Sequence, residues 1–446
     1  MPSLWATTPL AERLDWVAAF RRRVARAERD LCDAVRQDTG KERFECLTGD
    51  IAPLLASCRW VERNAARLLA PHRLGSAPFW MSGTRVRVLR EPVGRVAIIA
   101  TWNYPLQLLG IQLVHALAAG NTVRVKPSER SPRSQRMLLE MAAADLPEGT
   151  LEWTGPERDE GPRLLAGERF DHVVFTGSTP VGREVAANLA TSLTRCTLEL
   201  SGRDSAFVLS DASPKLAARS IWGAVCLNAG QSCMAPRRAL VHEAVYEEFC
   251  RTLSAVARKT APRPMADAAM AARCAQLAKD AIDRGGRDAA GMGPPAADGV
   301  MLRPVAVLDC PREAELIEGR HFGPAIAVVR VVDTGEALEL HRRSDQHLTA
   351  SVFTAKPARA AKLVPYLGAT SVMINDCIIP AAHPEASIGG RGESGLGLSR
   401  GEAGLLEMTR AVYVSRSPGL MGRSLSKPPG FVVGLFAKVL RWTYGR

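Results

Sequence analysis

Cys233 lies in the segment NAGQSCMAP (228–236), flanked by Gly230, Gln231, Ser232 and Ala235. Small, turn-favouring neighbours could leave its thiol exposed in a cleft. A thiolate is a strong nucleophile, and backbone amides at a helix start would lower the thiol's pKa. Alone the residue decides little, because a free cysteine is more often a small buried apolar side chain. Three further segments carry groups that would complete a nucleophilic site. In EPVGRVAIIATWNYPL (91–106) an apolar strand runs into Trp102, Asn103, Tyr104 and Pro105. An asparagine amide at a strand's end can point into a cleft and, with the Cys233 N–H, form an oxyanion hole; the competing reading is an Asx turn before a proline. In TLELSGRD (197–204) Glu199 falls in an apolar run, the setting a general base requires. In GNTVRVKPSER (120–130) Lys126 and Glu129 follow a buried-type strand, where open α/β sheets place their ligands.

Such groups need a scaffold. After Thr8 and Pro9, which read as a cap and first helical position, Leu10, Leu14, Val17 and Val24 recur at helical spacing, and the first seventy residues read as helices. In TRVRVLR (84–90) Thr84, Val86 and Val88 alternate with Arg85 and Arg87, the period of a half-exposed strand. Short apolar runs then alternate with helical stretches: VAIIAT (96–101), NTVRV (121–125), HVVFT (172–176) and SAFVLS (205–210). That alternation predicts an α/β protein with a largely parallel sheet covered on both faces. Residues 261–298 read as helix and surface loop, and RAVYVS (410–415) as a strand able to pair with 84–90.

A chain of 446 residues exceeds one core, and 46% hydrophobic with 23% charged residues is ordinary for a soluble globular protein. The formal charge of +12 favours anionic partners, phosphorylated cofactors included, or reflects a solvated basic surface. No helix-turn-helix, zinc-finger or RNA-recognition signature is present, so nucleic acid is not expected. Ten cysteines stand without a CxxC pair or a Cys/His cluster, so neither a disulfide framework nor a metal is expected. With no apolar core of a signal peptide and no run of 18 apolar residues, the expected place is the cytoplasm.

Taken together and in order, these segments resemble the aldehyde dehydrogenase superfamily. FTGSTPVG (175–182), HFGPAIAV (321–328), LTASVFT (348–354) and SIGGRGESGLG (387–397) resemble further family signatures, and the resemblance covers roughly residues 10–415. NAGQSCMAP and the late glycine run are most similar to the class 3 and fatty-aldehyde branch. The resemblance implies a Rossmann-type cofactor domain (1–75 and 91–200), an α/β catalytic domain (201–400), a small β oligomerisation element (76–90 and 405–416) and a basic amphipathic tail (417–446). It also implies NAD(P)-dependent oxidation of an aldehyde to the acid. Cys233 would attack the carbonyl carbon, Asn103 and the Cys233 amide would hold the oxyanion of the thiohemiacetal, hydride would leave for the nicotinamide, and Glu199 would activate water against the thioester. Lys126 and Glu129 match the family residues on the adenosine ribose, and Gly177 and Ser178 the helix-start contact to the pyrophosphate. Phe322 matches a residue near the nicotinamide, with Trp102 and Pro105 shaping the wall. A carboxylate at Glu129 would repel a 2′-phosphate, so NAD is expected, with NADP the alternative. Gly390, Gly392 and Gly395 spell GxGxxG, but no strand precedes them and no acidic residue follows at the right distance, so the match is read as accidental.

Two positions depart from the family pattern. Arg320 stands two residues before Phe322, where the family carries a glutamate that accepts from the nicotinamide-ribose hydroxyls; arginine only donates. Either Arg320 binds hydroxyl or phosphate oxygens, or Glu318 takes the part after a loop shift, or the cofactor is held badly. Ser201 stands where the family commonly has glycine. In the last segment, KPPGFVVGLFAKVLRWTYGR (427–446), Phe431, Val432, Leu435, Phe436, Val439 and Trp442 share one helical face, with Lys438 and Arg441 opposite and Arg423, Lys427 and Arg446 adding charge. This pattern fits a peripheral membrane contact through 424–446 or a helix over the substrate mouth. It suggests a lipophilic, long-chain or aromatic aldehyde. A homodimer is expected. The competing readings are a CoA-acylating or reductive relative, which needs no water-activating base such as Glu199, and an impaired, non-catalytic homologue.

Overall fold

The computed structural model describes residues 3–417 and 428–445; Arg423, Lys427 and Arg446, which belong to the expected basic tail, lie outside the described residues. The chain forms two compact units: residues up to Leu68 together with Pro92–Thr409, and Leu69–Glu91 together with the chain from Arg410 onward.

The larger unit holds two sheets. In the first, β1 (Arg95–Ile99), β2 (Thr122–Lys126), β3 (Leu151–Trp153), β4 (His172–Thr176) and β5 (Arg195–Glu199) run parallel in the order β5-β4-β1-β2-β3. The order reverses between β1 and β4, and the crevice at their carboxyl ends is where such sheets bind ligands. The segment Gly395–Leu396 adds an antiparallel edge beside β5, with Gly395 opposite Glu199. The GxGxxG stretch therefore ends as an edge strand and opens no helix of a dinucleotide-binding turn.

The second sheet contains β6 (Asp204–Val208), β7 (Pro236–His242), β8 (Val305–Leu308), β9 (Ala325–Val331), β10 (Thr349–Phe353) and β11 (Ser371–Ile374). They are parallel in the order β8-β9-β7-β6-β10-β11, with Arg287–Asp288 antiparallel beside β8. Its strands are apolar in both registers because both faces are covered. Phe207, Leu240, Val307, Val329 and Val352 enter one core, whereas Ala206, Val208, Val241, Ile326 and Phe353 enter the other.

The amino-terminal region is helical: α1 (Leu10–Arg26), α2 (Glu28–Thr39) and α3 (Ala52–Leu69). The expected cap does not form. Thr8 Oγ1 donates back to Leu4 O at 3.1 Å, and α1 begins at Leu10 without a side-chain cap. A preceding turn, Leu4–Thr7, already uses Thr8 to close itself.

Every residue of α4 (Pro105–Ala118) is buried, and the helix packs against α1, against α5 (Pro132–Ala143), and against β1 and β2. Its start is capped from outside. Asp50, in a π-helical turn (Leu47–Ile51), accepts from the amides of Leu106 (3.1 Å) and Gln107 (3.3 Å) through Oδ1. A carboxylate there also opposes the positive end of the helix dipole. Asp50 Oδ2 meets Lys41 Nζ at 2.6 Å, and both side chains are fully buried. Lys41 Nζ further donates to Asn103 O at 2.8 Å and lies over the Tyr104 ring.

In the smaller unit Arg85–Pro92 lies between His72–Arg73 and Thr409–Arg416 in a three-stranded sheet, so the two alternating segments of the sequence are hydrogen-bonded neighbours. Arg410 pairs with Glu91 at 3.2 Å. The helix Gly430–Tyr444 buries no residue; Phe436 and Tyr444 meet Phe79, with ring centroids 5.5 and 6.5 Å away. Among the described residues no helix is long and apolar enough to cross a membrane.

Removing Lys41 would strand a fully buried carboxylate. The Lys41→Met variant is expected to lose about 3–5 kcal/mol in urea unfolding; an unchanged midpoint would show that Asp50 does not depend on the pair.

Candidate active site

The chain between β1 and α4 carries Trp102 and Asn103. Two donors grip the Asn103 carbonyl, Lys41 Nζ at 2.8 Å and Asn228 Nδ2 at 2.9 Å. Thr101 Oγ1 donates to Asn103 Oδ1 at 3.3 Å, which turns the NH2 group toward the cysteine segment, where it donates to Gln231 O at 3.1 Å. The second amide hydrogen remains for a ligand. Among the described residues no other residue accepts from the Cys233 amide, which lies against its own thiol. A side-chain amide donating into the turn that carries a thiol, together with that turn's own N–H, can act chemically as an oxyanion hole.

Cys233 does not stand at a helix start. Asn228 and Ala229 (both φ +51) and Gly230 (φ +69) fold the chain back before it, and Cys233 lies in the turn leading into β7. A Cβ on Gly230 would meet the Gly323 backbone at 2.5 Å, so only glycine fits there. The buried Arg237 donates to Gly230 O (3.0 Å), Ser232 O (2.9 Å) and Gly323 O (2.8 Å), tying the turn to the segment before Pro324. The expectation of a lowered thiol pKa is therefore corrected. Burial, then the nearby Glu199 and Asp204 carboxylates, push Cys233 up to about 12, against the opposing pull of Arg400.

Glu199 ends β5 and is 8% exposed. Gln112 of α4 bridges it to the next strand, donating to Glu199 Oε1 at 3.4 Å and to Thr176 Oγ1 at 3.1 Å. Glu199, Gln112, His115 and Arg400 line one small cavity.

A larger cavity, of roughly 470 Å³, follows the carboxyl ends of β1, β2 and β4. Trp102, Lys126, Glu129, Gly177 and Ser178 all line it, with Ile99, Phe175 and Val185 forming apolar wall. Lys126 is buried, its ammonium 3.2 Å from Glu129 Oε2. Burial works to raise the Glu129 pKa, but the backbone N–H and Lys126 outweigh it and hold the group below its ordinary value, so it is a carboxylate at neutral pH. Ser178 is the N-cap of α6 (Thr179–Ala190), so this helix starts at the cavity's edge. Ser178 and Met270 also line an adjoining cavity of roughly 390 Å³ with Arg320 and Phe322. Trp102 and Phe322 meet edge to face at 5.8 Å. Apolar walls, an anion-directed helix start and a Lys–Glu pair suit a dinucleotide.

Arg320 is turned to Glu393, 2.9 Å away, and Arg183 pairs with the other oxygen of the same carboxylate. Glu318 lies instead 3.7 Å from Arg343. The Ser201 carbonyl accepts from Ser394 Oγ at 2.9 Å. Sequence reasoning did not find Lys41, Asp50, Gln112, Asn228, Arg237, Glu393 or Arg400. Lys41 and Asp50 were signalled only as charges inside an amphipathic helical stretch, and Arg400 had no signal beyond the Gly401 that follows it.

The chain matches known proteins over nearly its whole length. The model of the aldehyde dehydrogenase family matches residues 2–414. The chain is 33% identical over 439 residues to 4,4′-diapolycopene aldehyde oxidase of Methylomonas sp, covering 96% of this chain and 81% of that protein. This chain belongs to the aldehyde dehydrogenase family. It is also 30% identical over 380 residues to 4,4′-diapolycopene-4,4′-dial dehydrogenase of Cytobacillus firmus, covering 84% and 83% of the two chains. An aldehyde dehydrogenase of Mycobacterium tuberculosis, solved as a complex with NAD+, superposes with TM-score 0.84 at 26% identity, covering 92% of this chain and 86% of that one. The protein is accordingly an oxidoreductase that oxidises aldehydes with a nicotinamide dinucleotide, on the expected α/β fold.

Because the thiol is pushed up to about 12, the rate of Cys233 alkylation by iodoacetamide is expected to rise about tenfold per pH unit from pH 7 to 9, following the thiolate fraction. Peptide mass spectrometry would assign the site, and a plateau below pH 8 would contradict the account of burial.

Proposed function

We propose that the protein oxidises a lipophilic aldehyde to the carboxylic acid through a thioester on Cys233. The observation that carries this reading is the convergence of Asn103, from β1, and Glu199, from β5, on the turn that holds Cys233. In this reading the Cys233 sulfur attacks the carbonyl carbon, and the oxygen becomes an alkoxide held by Asn103 Nδ2 and the Cys233 amide. An aldehyde has no leaving group but hydride, which departs readily only from such a tetrahedral adduct. Nicotinamide supplies the hydride acceptor when bound. Glu199, held by Gln112, takes a proton from water as that water attacks the thioester, and the acid leaves with Cys233 restored.

Lys126 and Glu129 would hold the adenosine ribose, Gly177 and Ser178 the pyrophosphate, and Trp102 and Phe322 the wall toward the nicotinamide. The Glu129 carboxylate supports NAD over NADP. The pairing of Arg320 with Glu393, a carboxylate it shares with Arg183, supports an active enzyme, because Glu393 places beside Arg320 the acceptor that Arg320 itself lacks. Glu199 also weighs against the CoA-acylating alternative. The relatives named for diapolycopene aldehydes support a lipophilic substrate. The exposed apolar residues Phe431, Leu435 and Trp442, with Lys438 and Arg441 on the same helix, support a peripheral membrane contact, and the strands Arg85–Pro92 and Thr409–Arg416 a homodimer.

An aldehyde panel graded by chain length, read by NADH formation, tests the reaction and the substrate together. Wild-type protein is expected to form NADH most efficiently with long or aromatic aldehydes. Activity seen only after Arg320→Glu would instead support the impaired-homologue reading. Asn103→Ala is expected to lower kcat about 10²–10³-fold. Glu199→Gln is expected to keep a burst of one NADH per site and lose steady turnover; loss of the burst as well would remove Glu199 from the hydrolytic step. Deleting 424–446 is expected to reduce co-sedimentation with anionic liposomes, and unchanged binding would remove the membrane contact.

A further inference from the structure

Arg400 combines three unusual properties. It is 4% exposed, yet it forms no salt bridge among the described residues. Its backbone lies at φ 62 and ψ 165, a region that is essentially glycine's alone. It lines one small cavity with Glu199, and burial lowers its pKa against the opposing pull of Glu199, Cys233 and Tyr104.

The surroundings hold it there. Ser399 exchanges two backbone hydrogen bonds with Ile388, at 2.7 and 2.8 Å, and the Arg400 carbonyl accepts from Gly404 N (2.9 Å) and Ser387 Oγ (3.1 Å). The hydrogen-bond network places Gln107 Oε1 3.1 Å from Arg400 Nη2 and 3.3 Å from Nη1, and sets the Gln107 nitrogen 2.8 Å from Gly49 O. Gln107 is a neutral amide, so the guanidinium keeps its full charge. A glycine would take this backbone without strain, and Gly401 follows directly at φ +55. A long cation is nevertheless what the fold holds there, beside Glu199 in the same cavity.

We infer that Arg400 is the counter-charge of the reaction centre, the cation that lets Cys233 become a thiolate beside Glu199. When the thiol loses its proton to solvent, two negative charges share one buried site. The groups facing Cys233 are Glu199 from β5, Asp204 from β6, Arg237 from β7, Tyr104 from the start of α4, and Arg400. Burial holds Tyr104 protonated, and burial together with Arg400 holds His115, the other titratable group of the cavity, neutral with a pKa of about 4. Arg237 spends its donors on three carbonyls that shape the turn. Arg400 is the cation that shares the Glu199 cavity without a salt bridge among the described residues, which makes it a positioning residue for charge.

The inference rests on Cys233 as the nucleophile, and its test needs no aldehyde. Alkylation of Cys233 by iodoacetamide, a neutral reagent, is followed at pH 8.5 in wild type, Arg400→Gly and Arg400→Lys, with the site assigned by mass spectrometry. Arg400→Gly relieves the backbone, so its Tm is expected to hold or rise while alkylation slows about tenfold or more, one pH unit of thiol pKa being a factor of ten. Arg400→Lys is expected to recover most of that rate. Equal rates in all three proteins would overturn the inference, and so would a lysine variant as slow as the glycine one, because shape rather than charge would then matter. No alkylation of Cys233 in wild type at any pH would instead overturn the assignment of Cys233 as nucleophile.

Discussion

The buried pair of Lys41 and Asp50 is the constraint on which the site's geometry rests. Asp50 fixes where α4 begins, and Lys41 fixes where the Asn103 carbonyl lies. Between those two points the chain has only Asn103, Tyr104 and Pro105 to place. The same short stretch must deliver an amide to the cysteine turn and start a helix buried along its whole length. A π-helical turn is an uncommon device. Here it brings one carboxylate to two helix amides and one ammonium at once. An apolar pair of equal volume could fill the space, but it could neither cap α4 nor hold a carbonyl.

The centre itself is a problem of charge in a largely buried place. Cys233, Glu199 and Asp204 are three acidic groups in one neighbourhood, Glu199 and Asp204 buried and Cys233 half-buried. Thr349 Oγ1 and the Thr349 amide bind Asp204 at 2.6 and 3.0 Å, yet burial still pushes its pKa up to about 7. The free thiol is accordingly kept protonated, which protects it from adventitious oxidation, since it is the thiolate that reacts. Reactivity has to be supplied locally by oriented donors and cations. This explains why the turn around Cys233 is built from backbone carbonyls tied down by Arg237, and why no helix start is present to do the same work.

Much of this was legible in the sequence, for physical reasons. Strand alternation is a local property, so the parallel sheets could be read from runs such as HVVFT, whose bounds match β4. Asn103, Glu199 and Cys233 could be picked out as candidates because each sits at the end of an apolar run or within a run of small residues. What could not be read depends on long-range partners. Thr8 looks like a cap until the preceding turn claims its hydroxyl. Cys233 looks activated by a helix until three left-handed residues replace that helix. Arg320 looks like a defect until Glu393, 73 residues later, is seen beside it. Arg400 has no periodic or compositional signature at all, because its meaning lies in a backbone angle and in neighbours from α4 and β5.

The antiparallel edge at Gly395–Leu396 bears on how the protein is made. β5 is complete once residue 199 has been synthesised, but the segment that covers its edge comes about 200 residues later. At ribosomal speeds of about 5–20 residues per second, the edge of the first sheet stays bare for roughly 10–40 seconds. An uncovered strand edge is a template for pairing with other chains. The segment Gly395–Leu396 therefore acts late in biosynthesis as an intramolecular seal, and a nascent chain stopped before it would carry Asn103, Glu199 and Cys233 while exposing this edge.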